Sequence, residues 1–133
     1  MEEIKIGTCY EKKFFVNKED TALVLGSGGE EVLATPRLVA WIENTAFEGS
    51  GLTLSEENTT VGVQINLKHI AASPVGMEIK IKATLVSQEK RALNFKIEAW
   101  DKIEKIGEAT HQRVVVDKRR FMEKAMKKIN ENL

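Results

Sequence analysis

Hydrophobic and polar residues alternate along the second half of the chain, and a period of two predicts β-strands. The alternating segments are residues 60–69, 77–85, 93–99 and 106–116. In the first segment, one face is expected to hold Val61, Val63, Ile65, Leu67 and His69. Consecutive strands with short connections form an antiparallel sheet, and its apolar face needs a cover.

A helical pattern precedes these strands and supplies that cover. Thr35 offers an N-cap oxygen and Pro36 fits the first helical position, so a helix is predicted to begin there and to end near Gly49 and Gly51. Apolar residues lie on most faces of this helix, which predicts that it is buried on several sides.

The two ends of the chain carry weaker patterns. Residues 10–16 and 21–25 are predicted as short strands, and the run Gly26-Ser27-Gly28-Gly29 is predicted as a mobile loop. Asp117 can cap a final amphipathic helix whose apolar residues are Phe121, Met122, Ala125, Met126 and Ile129. The order of elements predicts an α+β protein with the hotdog fold: one domain, residues 1–133, in which an antiparallel sheet wraps around a long central helix and a C-terminal helix follows.

Composition narrows the classes of function. The chain has 133 residues, with 20 basic and 20 acidic side chains, so its formal net charge is zero. That balance argues against nucleic acid and a membrane surface as partners. The first residues are charged and contain no apolar signal segment, which predicts a cytoplasmic protein. One cysteine and two histidines give no recognisable metal-binding spacing, so no metal and no separate cofactor are expected.

Four polar side chains carry the candidate chemistry: Thr35, Glu43, His69 and Arg113. Three of them have a structural alternative: a helix cap for Thr35, a solvent-facing carboxylate for Glu43 and a hydrogen-bonded core imidazole for His69. Arg113 shares a strand face with His111 and needs a carboxylate partner. Together a hydroxyl, a carboxylate and an imidazole are the groups that acyl transfer or hydrolysis requires.

The spacing of two of these residues limits how they can act. Thr35 and Glu43 are eight positions apart on the predicted helix, which is about 12 Å at 1.5 Å per residue. One chain therefore cannot easily bring both side chains to the same atom. A site shared between two subunits would resolve this, and the edge of the sheet invites such pairing.

Five segments of the chain form a recognisable set in their order and spacing: Ala-Thr-Pro at 34–36, Trp-Ile-Glu at 41–43, Thr-Val-Gly-Val at 60–63, the run 68–77, and Gly-Glu-Ala-Thr-His-Gln-Arg at 107–113. Together they resemble the fluoroacetyl-CoA thioesterase-like family, and the last of them is similar to the last-strand motif of that family. The resemblance extends from about residue 10 to residue 125. It implies a hotdog homodimer or higher oligomer that hydrolyses an acyl-CoA thioester, with coenzyme A as part of the substrate.

The resemblance also implies roles for individual residues. Thr35, Glu43 and His69 match the catalytic positions: His69 as base or orienting group, Thr35 as nucleophile or water-positioning hydroxyl, and Glu43 as the group that activates water or steers the imidazole. Gly62 and Arg113 match substrate-binding positions, and the backbone N–H of Gly62 could approach the thioester oxygen.

The sequence departs from the family in one segment and is compatible with one alternative function. Residues 26–32 contain no Phe or Tyr, whereas the fluoroacetate-specific enzyme has an aromatic residue in the corresponding lid, so a fluoroacetyl pocket is not expected. The alternative function is a module that binds acyl-CoA without hydrolysing it. A hydratase on the same fold is disfavoured, because the usual Asp-x-x-x-x-His pattern is absent.

Overall fold

Five antiparallel strands form one sheet in the structure, which is a computed structural model and describes residues 3–130. Their order across the sheet is β1-β3-β4-β5-β2. The strands are β1 Cys9–Phe15, β2 Asn58–His69, β3 Glu78–Glu89, β4 Ala92–Trp100 and β5 Lys105–Asp117. All four strands predicted in the second half of the chain are present, each within a few residues of its expected bounds.

A 17-residue helix, α2 Thr35–Gly51, packs against the inner face of this sheet. Its buried side is made by Leu38, Ile42, Thr45, Ala46, Gly49 and Ser50, which recur at helical spacing. The largest buried side chains of β3, β4 and β5 meet it and form the core, among them Ile81, Phe95 and Ile106. This arrangement confirms the predicted hotdog fold.

The expectation that α2 is buried on several sides is wrong for the single chain. Ala40 and Phe47 are exposed, Phe47 to 42%, and Val39 and Glu43 are only partly buried. A five-stranded sheet covers one side of a helix, so the opposite side of α2 keeps its apolar residues at the surface.

The segment 21–25, predicted as a strand, is instead a single helical turn, α1 Ala22–Leu25. The Thr21 hydroxyl accepts a hydrogen bond from the backbone N–H of Val24 and caps this turn, while Gly26 ends it with a φ of 79°. Thr21 itself makes one isolated bridge to Leu33. A local cap and a terminating glycine therefore outweighed the β-propensity of the segment.

The strict alternation predicted for the first half of β2 is also wrong. Gly62 is paired with Arg113 but Gln64 with Gln112, so Val63 is an extra residue in a β-bulge. The bulge reverses the side-chain alternation, which puts Thr60 and Gly62 on the inner face and leaves Val63 54% exposed. From Ile65 to His69 the expected alternation holds.

The C-terminal helix, α3 Lys118–Asn130, begins as expected, because the carboxylate of Asp117 accepts a hydrogen bond from the N–H of Arg120. All of its residues are exposed in the single chain. Between residues 3 and 130, no helix is long and apolar enough to span a membrane.

Candidate active site

Thr35 and His69 meet at one end of the central helix. The Thr35 hydroxyl lies 2.8 Å from Nδ1 of His69, which is the last residue of β2. Thr35 is the first residue of α2 and not its N-cap, which is Ala34, so the prediction of a capping hydroxyl is wrong. Because its side chain does not cap the helix, the Thr35 hydroxyl is free to bond the imidazole.

Backbone hydrogen bonds hold the start of α2 beside the end of β2. The N–H of Leu33 donates to the carbonyl of Ser73 at 2.8 Å, and the N–H of Ala34 donates to the carbonyl of Asp20 at 2.9 Å. The N–H of Ile70 donates to the carbonyl of Ile106 at 2.8 Å. These bonds fix the two backbones that carry Thr35 and His69.

The His69 imidazole is suited to accept a proton. Burial is the main cause that lowers its pKa below the ordinary value, and the backbone of Ala71 opposes that shift. Its Nε2 is buried and has no hydrogen-bond partner among the described residues. A neutral imidazole that accepts a hydrogen bond from the Thr35 hydroxyl at Nδ1 carries its proton on Nε2, which can still donate.

A cleft of about 340 Å³ opens beside this pair. Apart from Thr35 and His69, its lining consists of small, aliphatic or hydroxyl side chains: Ala22, Ser27, Val32, Leu33, Pro36, Ile70, Ala71 and Ala72. None of the residues that line it carries a carboxylate, an ammonium or a guanidinium group. The cleft therefore favours an uncharged group of modest size.

Glu43, Gly62 and Arg113 form a second cluster further along the helix. Nη1 of Arg113 lies 3.8 Å from Oε2 of Glu43, whose side chain is 42% exposed. A Cβ atom added to Gly62 would lie 2.6 Å from the same Glu43 oxygen and 3.2 Å from Nη1 of Arg113. Only glycine fits between these groups without displacing one of them.

Two residues of this second cluster were not singled out from the sequence: Thr60 and His111. The Thr60 hydroxyl accepts from Nε of Arg113 at 2.8 Å, and its carbonyl accepts from Nη2 at 3.0 Å. His111 lies 3.2 Å from Nη1 of Arg113. A glycine within a strand, here Gly62, is a sequence signal for the bulge that turns Thr60 inward. Identifying the side chains that contact Arg113 required the strand register.

Within one chain the two clusters stay apart. Glu43 follows Thr35 by eight helical residues, about 12 Å along the axis. Gly62 and His69 are seven positions apart on β2, about 23 Å in extended chain. In residues 3–130, no three His, Cys, Asp or Glu side chains converge to bind a metal ion.

The fold and the two clusters describe a hotdog protein with a hydroxyl–imidazole pair at one end of its helix. Residues 16–119 match the family model described as fluoroacetyl-CoA-specific thioesterase. The chain is also 32% identical over 98 residues to the fluoroacetyl-CoA thioesterase of Streptantibioticus cattleyicolor, covering 74% of this chain and 70% of that protein. The chain belongs to this thioesterase family.

Solved structures agree with that assignment. A solved structure of the fluoroacetyl-CoA thioesterase FlK superposes with a TM-score of 0.89 at 27% identity, covering 95% of this chain and 98% of the other. A mutant of that enzyme in complex with fluoroacetate and CoA superposes with a TM-score of 0.85 at 27% identity, covering 89% and 99%. A Thermus thermophilus thioesterase superfamily member, with a TM-score of 0.89 at 22% identity over 99% and 97%, supports the fold alone.

Proposed function

We propose that this protein hydrolyses an acyl-CoA thioester to a free acid and CoA, at a site completed between two chains. The observation that carries the proposal is the 2.8 Å contact between the Thr35 hydroxyl and Nδ1 of His69, beside a cleft of acyl-group size. Membership of a thioesterase family supports the same reaction.

The exposed side of α2 and the free edge of β2 support the composite site. A two-fold axis beside residues 65 and 66 of β2 would place His69 of one chain level with Gly62 of the second, because antiparallel strands pair about their midpoint. Such an arrangement would also cover the exposed Phe47 and Val63. It joins the hydroxyl–imidazole pair of one chain to the Glu43 cluster of the other.

The proposed chemistry needs a base, an attacking oxygen and a group that stabilises the oxyanion. His69 takes a proton from the Thr35 hydroxyl or from a water that Thr35 and Glu43 orient. The oxygen adds to the thioester carbonyl, the C–S bond then breaks, and the proton passes to the departing CoA sulfur. The N–H of Gly62, which has no side chain in the way, would donate to the carbonyl oxygen as it becomes negative. If Thr35 attacks, water hydrolyses the acyl-threonine in a second, equivalent step.

The lining of the cleft suggests the kind of acyl group. An uncharged aliphatic acyl group matches its side chains, whereas a second carboxylate on the acyl group would have no cation to meet there. Residues 26–32 carry no aromatic side chain, so fluoroacetyl-CoA is not the expected substrate.

The direct test follows thiol release from a panel of acyl-CoA esters that includes acetyl, butyryl, hexanoyl, malonyl and fluoroacetyl groups. We expect turnover of uncharged aliphatic esters, little with malonyl-CoA, and a mass by light scattering of at least two chains. Thr35→Ala, compared with the structural control Thr110→Ala on the outer sheet face, should abolish most of the rate. Thermal stabilisation by the esters without any thiol release would instead indicate a binding module; turnover by a monomer would exclude the shared site.

A further inference from the structure

His111 is a buried imidazole that the proposed reaction does not use. It lies on the inner face of β5, only 3% exposed, and the groups that face it are Arg113 on its own strand, the Gln64 carbonyl on β2, Glu43 on α2 and the ring of Phe95 on β4. Phe95 is apolar, so the polar environment of His111 consists of one carbonyl, one cation and one carboxylate.

The polarity of these neighbours fixes the protonation of the ring. A carbonyl only accepts, so Nδ1, which lies 2.8 Å from the Gln64 oxygen, must carry a hydrogen. A guanidinium only donates, so Nε2, which lies 3.2 Å from Nη1 of Arg113, must be an acceptor. His111 is therefore neutral, with its proton on Nδ1. Burial, which lowers the pKa of His111, acts in the same direction.

The first of these bonds fastens the β-bulge of β2. Gln64 directly follows the extra residue Val63, and the bulge is what turns Gly62 towards Glu43 and Arg113. A Cβ added to Gly62 would also lie 3.3 Å from Cε1 of His111, so the His111 ring packs beside Gly62 together with Glu43 and Arg113.

The second bond orients the guanidinium. Thr60 already holds Nε and Nη2 of Arg113, and His111 holds Nη1, the nitrogen nearest to Glu43. Three anchors leave a guanidinium one orientation, with its remaining donor capacity directed at the carboxylate.

We infer that His111 is a positioning residue of this site: its neutral ring ties the bulge of β2 to Arg113 and so fixes both Gly62 and the Arg113–Glu43 pair. Protonation of its Nε2 would set a donor and a positive charge against Nη1 of Arg113 and release that contact. The site is then intact above the pKa of His111 and loosens below it. The catalytic part of this inference rests on the proposed function, whereas the geometric part does not.

Three substitutions separate the two bonds. His111→Asn keeps a donor near the position of Nδ1, His111→Gln keeps an acceptor near the position of Nε2, and His111→Phe keeps neither. Thr110→Ala, on the exposed face of the same strand, serves as the control. Nitrogen NMR of the wild-type ring should show the neutral Nδ1–H form at pH 7, and the Arg113 Nη1–H signal should be protected from exchange.

We expect His111→Phe to lose that protection and to lower kcat/KM about tenfold, the size of one hydrogen bond to a charged group. His111→Gln should recover part of the protection and part of kcat/KM. In the Phe variant, the fall of kcat/KM at low pH that is due to His111 should be absent. A protonated ring or the Nε2–H form in the wild type would overturn the inference. So would a folded His111→Phe protein with an unchanged Arg113 signal, a result that can be read even if no ester is hydrolysed. If His111→Phe does not fold, the same Arg113 signal is measured in the Gln and Asn variants, and an unchanged signal in both overturns the inference.

Discussion

The two histidines of this chain lie in opposite chemical situations. His69 has one nitrogen on the Thr35 hydroxyl and a second that no described residue occupies. His111 has both nitrogens occupied, by a carbonyl and by a guanidinium. An imidazole that accepts from a hydroxyl can take its proton, whereas one held between a carbonyl and a guanidinium fixes the positions of its neighbours. Burial lowers the pKa of both rings, so the bonding partners distinguish their roles, and the pKa shift does not.

The same contrast separates the two clusters. Thr35 is exposed and His69 half-buried, and backbone bonds hold the segments that carry them. Arg113 is buried together with Thr60 and His111, and its own side chain makes the bonds that join these residues. Substitutions in the first should therefore change rate with little change in stability. Substitution of Arg113, the buried centre of the second, should change both.

The largest effect is expected at His69. His69→Ala should lower kcat by about 10²–10⁴-fold, the usual contribution of a positioned general base. The melting temperature should change little, since the ring is only half-buried. Lys68→Ala, at the exposed neighbouring position, is the matched control in a thiol-release assay. A His69→Ala protein within tenfold of the wild-type rate would remove His69 from the reaction.

The next largest effect is expected at Gly62. Gly62→Ala places a methyl group 2.6 Å from Oε2 of Glu43 and should lower kcat/KM about 10–100-fold by displacing that carboxylate. Stability should fall little, because the displaced atom ends a flexible side chain. Gly29→Ala is the control, since its Cβ would meet nothing within 4 Å. Equal rates for the two alanine variants would show that the packing around Gly62 is not needed for catalysis.

The contrast in stability can be measured with Arg113→Met and Thr35→Val. Removal of the buried guanidinium leaves the Thr60 carbonyl and hydroxyl without their donor and should cost about 1–3 kcal/mol of unfolding free energy. Thr35→Val, at an exposed position, should stay within about 1 kcal/mol of the wild type. Urea unfolding of both variants measures the difference. Equal destabilisation would contradict the division into a structural and a reactive cluster.

The smallest expected effect is on the pH dependence of stability. Because the folded-state pKa values of His69 and His111 are lowered, the unfolded chain binds more protons below about pH 6.5. The contribution of both rings to stability is therefore complete above that pH and is lost as the pH falls towards their folded-state values. The urea midpoint of the wild type should decrease as the pH is lowered from 7.5 to 5. The midpoint of His111→Phe should decrease less over the same range. A urea midpoint that rises as the pH is lowered would contradict the lowered folded-state pKa values of the two histidines.

Most of the fold could be predicted from the sequence, because period-two and helical patterns are local and strong here. The strands of the second half and the central helix depend on such patterns. The turn at residues 22–25 was missed since a Thr cap and Gly26 act through hydrogen bonds and backbone angles that propensity does not contain.

The site could be predicted only in part, and by resemblance more than by pattern. Thr35, Glu43 and His69 were singled out, but the hydroxyl of Thr35 was expected to cap the helix. His111 and Thr60 were missed because the bulge at Val63 decides which residues of β2 face β5's inner side chains. A single extra residue in a strand reverses the alternation on one side of it, here in residues 60–62, and the strand register shows which side chains then meet.

A site shared between two chains can be tested directly by one measurement. His69→Ala and Glu43→Ala proteins, each inactive alone, are mixed, unfolded and refolded together. In a mixed dimer one site contains His69 and Glu43 from different chains, both intact, so random mixing should restore about a quarter of the wild-type rate. No recovery, with mixed dimers demonstrated by mass spectrometry, would show that each site draws His69 and Glu43 from the same chain.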